Sequence, residues 1–309
     1  MPGEPIATRQ RIGTSLVDFE VVSVEAEAAA GDPVLLVHGW PDGPASWLPL
    51  ARHIAGHGLR VLVPAWPGVG GSAAVGVPVR DVASQAGLVR ALTELVAAIG
   101  VNGPVHLVGH DWGALASFGV AATAPSTIAS LTALGAGWSP RSAAAELPAP
   151  EQLHMFWYQW LLNTPMGERY LATRRAELVA HLWRQWSPEW HFETGEPARA
   201  VAAFGTDWAD ATIGYYRNRW WWGEAASREE LAGTDAALAA ARRITVPTQL
   251  IHGERDGCFA LSTSRATERF VEAHYRHTAL PGVGHFPHRE APDESAGLIL
   301  DWLERYRDG

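Results

Sequence analysis

Cysteine is nearly absent: the 309 residues hold one, Cys258. That excludes an internal disulfide and a thiolate metal cluster. No block rich in Lys or Arg occurs and the formal net charge is −9. Nucleic acid is therefore a poor partner, because affinity for it comes largely from neutralising phosphates. The opening stretch MPGEPIATRQRIGTSLVDFE has no long apolar run after its charges, so it reads as neither a signal peptide nor a membrane anchor. A Lys-bearing phosphate loop and a dinucleotide fingerprint are also missing. Gly-Val-Gly-Gly at 68–71 follows Pro-Ala-Trp-Pro and reads as a turn. His53 and His57 stand four apart on an expected helix without a third ligand, so they read as surface histidines rather than a zinc pair. These absences lead us to expect a soluble cytoplasmic protein, monomer or homodimer, with no cofactor, no metal and no membrane or nucleic-acid partner.

Hydrophobic residues make up 47% of the chain and charged residues 18%, enough apolar material for a large core without a signature of disorder. Length alone suggests two domains, yet single α/β domains reach this size. Residues 11–25 alternate and are β-prone, as two antiparallel edge strands would be. Short apolar runs at 33–39, 59–68, 104–110 and 127–134 read as buried strands. Between them, 45–57 and 81–99 have helical length and spacing, which gives βαβ units and a parallel sheet. The rhythm stops at 138–243, where helical segments are broken at Pro148, Pro150, Pro165, Pro188 and Pro197 and ten of the 15 Trp collect, Trp221 and Trp222 among them. It resumes at 245–256 and 275–286 and ends in a helix near 293–307. The simplest architecture is an α/β core in two parts, 1–137 and 244–309, interrupted by a helical cap over 138–243. Such a cap would line an apolar pocket and exclude water, although aromatic side chains also serve simply to pack helices.

The chemistry centres on Gly-His-Asp-Trp-Gly, residues 109–113. A nucleophile flanked by Gly at two positions on either side forms the strand-turn-helix elbow that exposes it above a sheet. Asp is also the commonest kind of helix N-cap, so the motif alone leaves Asp111 ambiguous between nucleophile and cap. Two distant segments favour the nucleophile. His-Gly-Trp-Pro at 38–41 follows a buried strand, where one oxyanion N–H is expected from the backbone of Trp40; a second is expected from Trp112. Asp256 and His285 each follow a late strand, and nucleophile, acid, His is the order of this architecture. Glu254 is a rival for the orienting acid, and His288 for the base.

With these residues assigned, nearly the whole chain resembles the α/β-hydrolase superfamily, and more narrowly its epoxide hydrolase and haloalkane dehalogenase branch, in which the elbow takes the form Gly-His-Asp-Trp-Gly. The resemblance implies an α/β-hydrolase fold with a mostly parallel sheet and an inserted cap. The dehalogenases typically carry Asn after His-Gly to grip halide, and this chain has Trp40 there. Fluoroacetate dehalogenases typically carry Arg after the nucleophile, and this chain has Trp112. Epoxide hydrolases hold the epoxide oxygen with two cap tyrosines. Phe-Trp-Tyr-Gln-Trp nominates Tyr158, and Gly-Tyr-Tyr-Arg-Asn-Arg-Trp nominates Tyr216, with Tyr215 as its neighbour and rival.

What the resemblance implies is an epoxide hydrolase that converts an apolar epoxide and water to a vicinal diol through an ester of Asp111. His285, oriented by Asp256, would activate the water. Trp40, Trp112 and Trp157 would line the substrate pocket. A haloalkane dehalogenase with the same triad is the alternative; another α/β hydrolase, or a member of the fold that binds a ligand without catalysis, is a more distant one.

Overall fold

The structure, a computed structural model, describes residues 5–26, 32–99, 103–141, 148–220 and 229–307; Trp221 and Trp222 lie outside them. An antiparallel pair, β1 (Ile6–Gly13) and β2 (Val17–Glu25), forms one edge of the sheet. The outer strand β1 is largely exposed, and its Arg9 and Arg11 pair with Glu20 and Asp18 on β2. Charge along an edge strand discourages pairing with other chains. The strands β3 (Val34–Val37) and β4 (Val61–Pro64) follow, then a two-residue β5 (Ala73–Ala74) that pairs with β2. Strand β5 is too short for any periodicity, and the sequence reading has no counterpart for it. The series is completed by β6 (Val105–His110), β7 (Ile128–Leu134), β8 (Thr248–Gly253) and β9 (Tyr275–Leu280).

The sheet order is β1-β2-β4-β3-β6-β7-β8-β9, parallel from β4 onward. Every residue of β3, β4, β6 and β8 is buried, which explains the unbroken apolar runs of β3 and β4: a strand covered on both faces has no polar side to alternate. The helices of the first core part are α1 (Leu48–Gly56), α2 (Val79–Val82), α3 (Gln85–Ala98) and α4 (Trp112–Thr123). Ser84 caps α3 by accepting the Gly87 N–H at 3.0 Å. Helix α4 is buried along nearly its whole length, as expected of a helix that is apolar all round.

Between β7 and β8 the chain forms a helical cap: α5 (Pro150–Met155), α6 (Trp157–Leu162), α7 (Pro165–Trp186), α8 (Glu196–Ala202), α9 (Trp208–Trp220) and α10 (Glu229–Ala240). Three of the prolines expected to break helices start them instead. Pro150, Pro165 and Pro197 sit in the first turns of α5, α7 and α8, where the missing N–H has no intrahelical partner to lose. The second core part adds α11 (Leu261–Arg265), α12 (Pro287–Glu290) and α13 (Pro292–Arg305). Among the described residues no helix is long and apolar enough to cross a membrane.

Strand β3 is followed in sequence by β4 on one side and neighboured by β6 on the other, so the loops after β3 and β6 leave the sheet in opposite directions. Ligand crevices form at such switch points beyond the carboxyl ends of parallel strands. Both the His38–Pro41 loop and Asp111 stand there.

Candidate active site

Asp111 follows the last residue of β6 with φ 51° and ψ −118°, the one non-glycine residue of positive φ among those described. L side chains rarely adopt that conformation, and it costs on the order of 1–3 kcal/mol. It persists because the surroundings leave no alternative. A Cβ on Gly113 would stand 2.1 Å from the Val37 carbonyl oxygen, and one on Gly109 2.5 Å from the Gly113 carbonyl oxygen. Only a bare backbone lets β6 and α4 meet so tightly. The carboxylate does not cap α4. Its Oδ1 instead accepts the Trp40 backbone N–H at 2.8 Å, which removes the N-cap reading.

The other oxygen, Oδ2, lies 3.7 Å from His285 Nε2, longer than a hydrogen bond. On the far side of the ring, His285 Nδ1 donates to Asp256 Oδ2 at 2.9 Å. His285 is fully buried, with Asp256 and Asp111 close to it. Asp256 is held on every side. Its Oδ1 accepts the backbone N–H groups of Cys258 (2.7 Å) and Phe259 (2.9 Å), and Oδ2 also meets His252 Nε2 at 3.1 Å. Burial would raise its pKa, but the charges and hydrogen bonds of His285 and His252 outweigh that and hold it below the ordinary range. His285 shows the mirror case: burial lowers its proton affinity, and the Asp256 carboxylate, Cys258 and Asp111 raise it further than burial lowers it. Glu254 is exposed and His288 stacks on Trp47 at 4.2 Å, so neither rival takes part in this arrangement.

The cap supplies the roof. Tyr158 and Tyr216 are buried and meet edge to face, with ring centroids 5.4 Å apart. Trp40 stacks on Tyr158 at 5.7 Å and meets Tyr216 edge-on at 5.1 Å. Tyr215 turns to the other side and stacks on Trp112 at 4.9 Å. Burial and the charge of Asp111 both raise the proton affinity of Tyr216, and burial leads the same shift in Tyr158, so both phenols keep their protons. Trp157 meets Tyr158 edge-on at 6.4 Å and donates its indole N–H to Gln185; it flanks the tyrosine rather than the carboxylate.

Several residues that the sequence reading passed over complete the arrangement. Gln159 donates from Nε2 to the Tyr158 oxygen at 2.9 Å, and its Oε1 accepts the Trp220 indole N–H at 2.8 Å. That fixes the amide orientation and leaves the Tyr158 O–H free to donate elsewhere. Trp40 donates its indole N–H to Thr212 at 2.8 Å. Ser187, at the end of α7, accepts the His285 backbone N–H (2.9 Å) and donates to Glu290 Oε1 (2.6 Å), while Glu290 also accepts from the Gly284 and Phe286 backbones. The Trp186 carbonyl oxygen accepts from both His285 and Gly257. The cap thus fixes the loop that carries His285. Polar residues scattered through a helical pattern carry no spacing signal that would identify them; Gln159, adjacent to Tyr158, and Trp220, at the end of Gly-Tyr-Tyr-Arg-Asn-Arg-Trp, stood within stretches already singled out.

Comparison with known proteins supplies relatives. The model of the alpha/beta hydrolase fold family matches residues 32–292. The chain is 25% identical to epoxide hydrolase A of Mycobacterium tuberculosis over 335 residues, covering 96% of this chain and 97% of the relative. A solved structure from Klebsiella pneumoniae, described as a candidate epoxide hydrolase, matches with a TM-score of 0.86 at 27% identity, covering 96% of this chain and 97% of that one. A pimeloyl-[acyl-carrier protein] methyl ester esterase of Aromatoleum aromaticum is 28% identical over 275 residues, 87% of this chain and 96% of the relative. Likeness of the same order therefore extends to a protein named for a different reaction, and residues at the site must discriminate between the two.

Proposed function

Because the chain belongs to the alpha/beta hydrolase fold family, whose model spans residues 32–292, we infer its reaction from the groups mounted on that fold rather than from the fold itself. The chain is a hydrolase that works through a covalent ester of Asp111 and a water activated by His285, and its substrate is a small apolar epoxide. The observation that carries the substrate class is the pair of buried phenols, Tyr158 and Tyr216, meeting at 5.4 Å against the ring of Trp40, whose backbone N–H binds the nucleophile.

In the first step Asp111 Oδ2, the oxygen free of the Trp40 N–H, attacks an sp³ carbon of the epoxide. The C–O bond breaks with inversion, and the ring oxygen takes a proton from a tyrosine, leaving a hydroxyalkyl ester and a tyrosinate. A neutral phenol that donates to the ring oxygen stabilises charge that exists only as the ring opens. In the second step water gives a proton to His285 and attacks the ester carbonyl carbon. The 3.7 Å between His285 Nε2 and Asp111 Oδ2 suits a water better than a direct bond. The tetrahedral oxyanion forms on Oδ1, which accepts from the Trp40 N–H, with the first N–H of α4, from Trp112, as its second donor. Collapse breaks the C–Oδ2 bond and releases the diol; the two protons of the water, one held by His285 and one on the new Asp111 hydroxyl, pass to the leaving oxygen and the tyrosinate, and the carboxylate returns. Ester formation also removes the negative charge of Asp111, which lowers the proton affinity of His285 when it must act as a base.

A dehalogenase would need N–H donors to cradle halide. The Trp40 indole N–H is already given to Thr212, so the cradle lacks one of its candidates. A serine-type esterase lacks its nucleophile, because residue 111 is Asp.

The test is the intact mass of His285→Gln after exposure to terminal and aryl epoxides, and separately to haloalkanes. Epoxides should add their whole mass. An adduct from haloalkanes alone, lighter by the lost hydrogen halide, would transfer the assignment to dehalogenase. In the same His285→Gln background, Tyr158→Phe and Tyr216→Phe should each slow adduct formation by about 100-fold, the effect of losing one preorganised oxyanion donor. Unchanged rates in both would remove the tyrosines from the mechanism.

A further inference from the structure

Cys258 is the only cysteine in the chain, and folding places it in the catalytic centre. Its side chain is fully buried, and its Sγ lies 3.6 Å from the Tyr158 hydroxyl. The hydrolytic reaction gives this thiol no step. Yet potential ligand atoms of Cys258, Asp111 and His285 all lie within 4.8 Å of one another. Nδ1 of the imidazole is held by Asp256, which leaves Nε2 as its ligand atom; this buried Nε2 stands 3.7 Å from Asp111 Oδ2 and makes no hydrogen bond among the described residues.

We propose that Asp111, Cys258 and His285 form a binding site for a thiophilic divalent cation, Zn²⁺, and that its occupancy reversibly shuts the enzyme off. One thiolate, one imidazole and one carboxylate are ligands of the kind zinc takes, with a fourth position left for water. Tetrahedral zinc sets its N and O ligands about 3.4 Å apart, at bond lengths near 2.1 Å. Asp111 Oδ2 and His285 Nε2 stand at 3.7 Å already. The thiol closes the remaining distance by a shift of about an ångström, within the reach of a side-chain rotation.

The supporting shell is in place as well. A zinc-bound histidine usually donates its second ring N–H to a carboxylate, which fixes the tautomer and raises its basicity. Asp256 does this for His285 at 2.9 Å, and the catalytic acid thereby serves as an outer partner of the metal. On binding, the thiol proton leaves to solvent and a Zn–S bond replaces the S–H bond. The cation takes the two atoms that hydrolysis uses, Asp111 Oδ2 and His285 Nε2, so it competes with substrate instead of assisting it. Mg²⁺ and Ca²⁺ prefer cages of oxygen ligands and have no use for the sulfur.

The inference is independent of which substrate the enzyme takes, because the first readout is direct binding. Co²⁺ added to the wild-type protein should produce a near-ultraviolet sulfur-to-cobalt charge-transfer band that Zn²⁺ displaces. Neither Cys258→Ser nor Cys258→Ala should produce it. The pair His53 and His57, whose rings stand 5.4 Å apart on α1, can bind metal without generating this band, so the two locations are distinguished. In the second readout, Zn²⁺ should inhibit epoxide hydrolysis by the wild type. Each Cys258 variant, measured against its own zinc-free rate, should show an inhibition constant raised at least tenfold, about the smallest loss expected when even an outer partner of a zinc site is removed. Absence of the band in the wild type, or equal zinc inhibition in the wild type and both variants, would overturn the proposal. A band in a protein inert toward epoxides would uphold the metal site and count against the substrate alone.

Discussion

Asp111→Asn should lower kcat for epoxide hydrolysis by roughly 10⁴-fold or more, the scale on which removal of a covalent nucleophile acts. The amide is isosteric, and its oxygen can still accept the Trp40 N–H that Oδ1 accepts at 2.8 Å. The loss is therefore chemical rather than structural: a neutral amide has no charge with which to displace oxygen from an alkyl carbon. Substrate binding should change little, because the aromatic groups Trp40, Tyr158 and Tyr216 stay in place. The His285→Gln protein should accumulate an epoxide adduct, and the His285→Gln, Asp111→Asn double variant should accumulate none. An adduct in the double variant would place the nucleophile elsewhere. Activity within tenfold of wild type would mean that water attacks the epoxide directly.

Mild acid should destabilise the fold steeply. His106 is buried on β6 and bonded to Ser130 at 2.8 Å, and burial lowers its pKa to about 4. His110, whose Nε2 donates to the His285 carbonyl oxygen at 2.8 Å, is lowered to about 3, by burial first and the His285 charge second. Burial likewise lowers His38 and His288. An unfolded chain takes up protons on these residues near pH 6.5, while the folded chain refuses them. The unfolded state thus binds more protons below that pH, and stability falls as pH falls. His106 and His110 together cost up to about 2.7 kcal/mol per pH unit near pH 5. His285 has the opposite sign. Its folded pKa is raised, so its contribution is fully present below about pH 6.5 and is lost as pH rises through the folded value. Urea unfolding at pH 7, 6 and 5 should show a stability loss across the series of at least about 3–4 kcal/mol, the share of His106 and His110 alone. His106→Gln should flatten the slope by nearly one proton. A flat profile from pH 7 to 5 would mean that these histidines find charged partners in the fold.

Much of the fold was legible because burial leaves a periodic trace. Strands β3, β4 and β6 read as apolar runs because both faces are covered, and α13 reads as a helix because its buried residues, Ser295, Ala296, Ile299, Leu300, Trp302 and Leu303, fall on one face. The two-residue β5 left no such trace. Asp111, Asp256 and His285 could be nominated because each follows a strand, in a turn with its own glycine spacing, and the chain order of the three roles is a property of the architecture. Tyr158 and Tyr216 were nominated by resemblance, and no local pattern separates Tyr216 from Tyr215.

The sequence by itself determined which residues end the strands, and therefore which side chains stand at the carboxyl edge of the sheet. Strand length, glycine spacing and hydrophobic period are local quantities that a chain carries before it folds. Tertiary structure alone decided which of those side chains touch. It turned the Asp111 carboxylate away from the helix end and onto the Trp40 N–H, set Gln159 and Trp220 behind Tyr158, tied His285 to Ser187 and Glu290 through the end of α7, and brought Cys258 within reach of Asp111. Apart from Gln159 with its neighbour Tyr158, those contacts join segments far apart in the chain, from different strands and different helices. Their distances depend on packing the cap against the core, for which no period along the sequence exists.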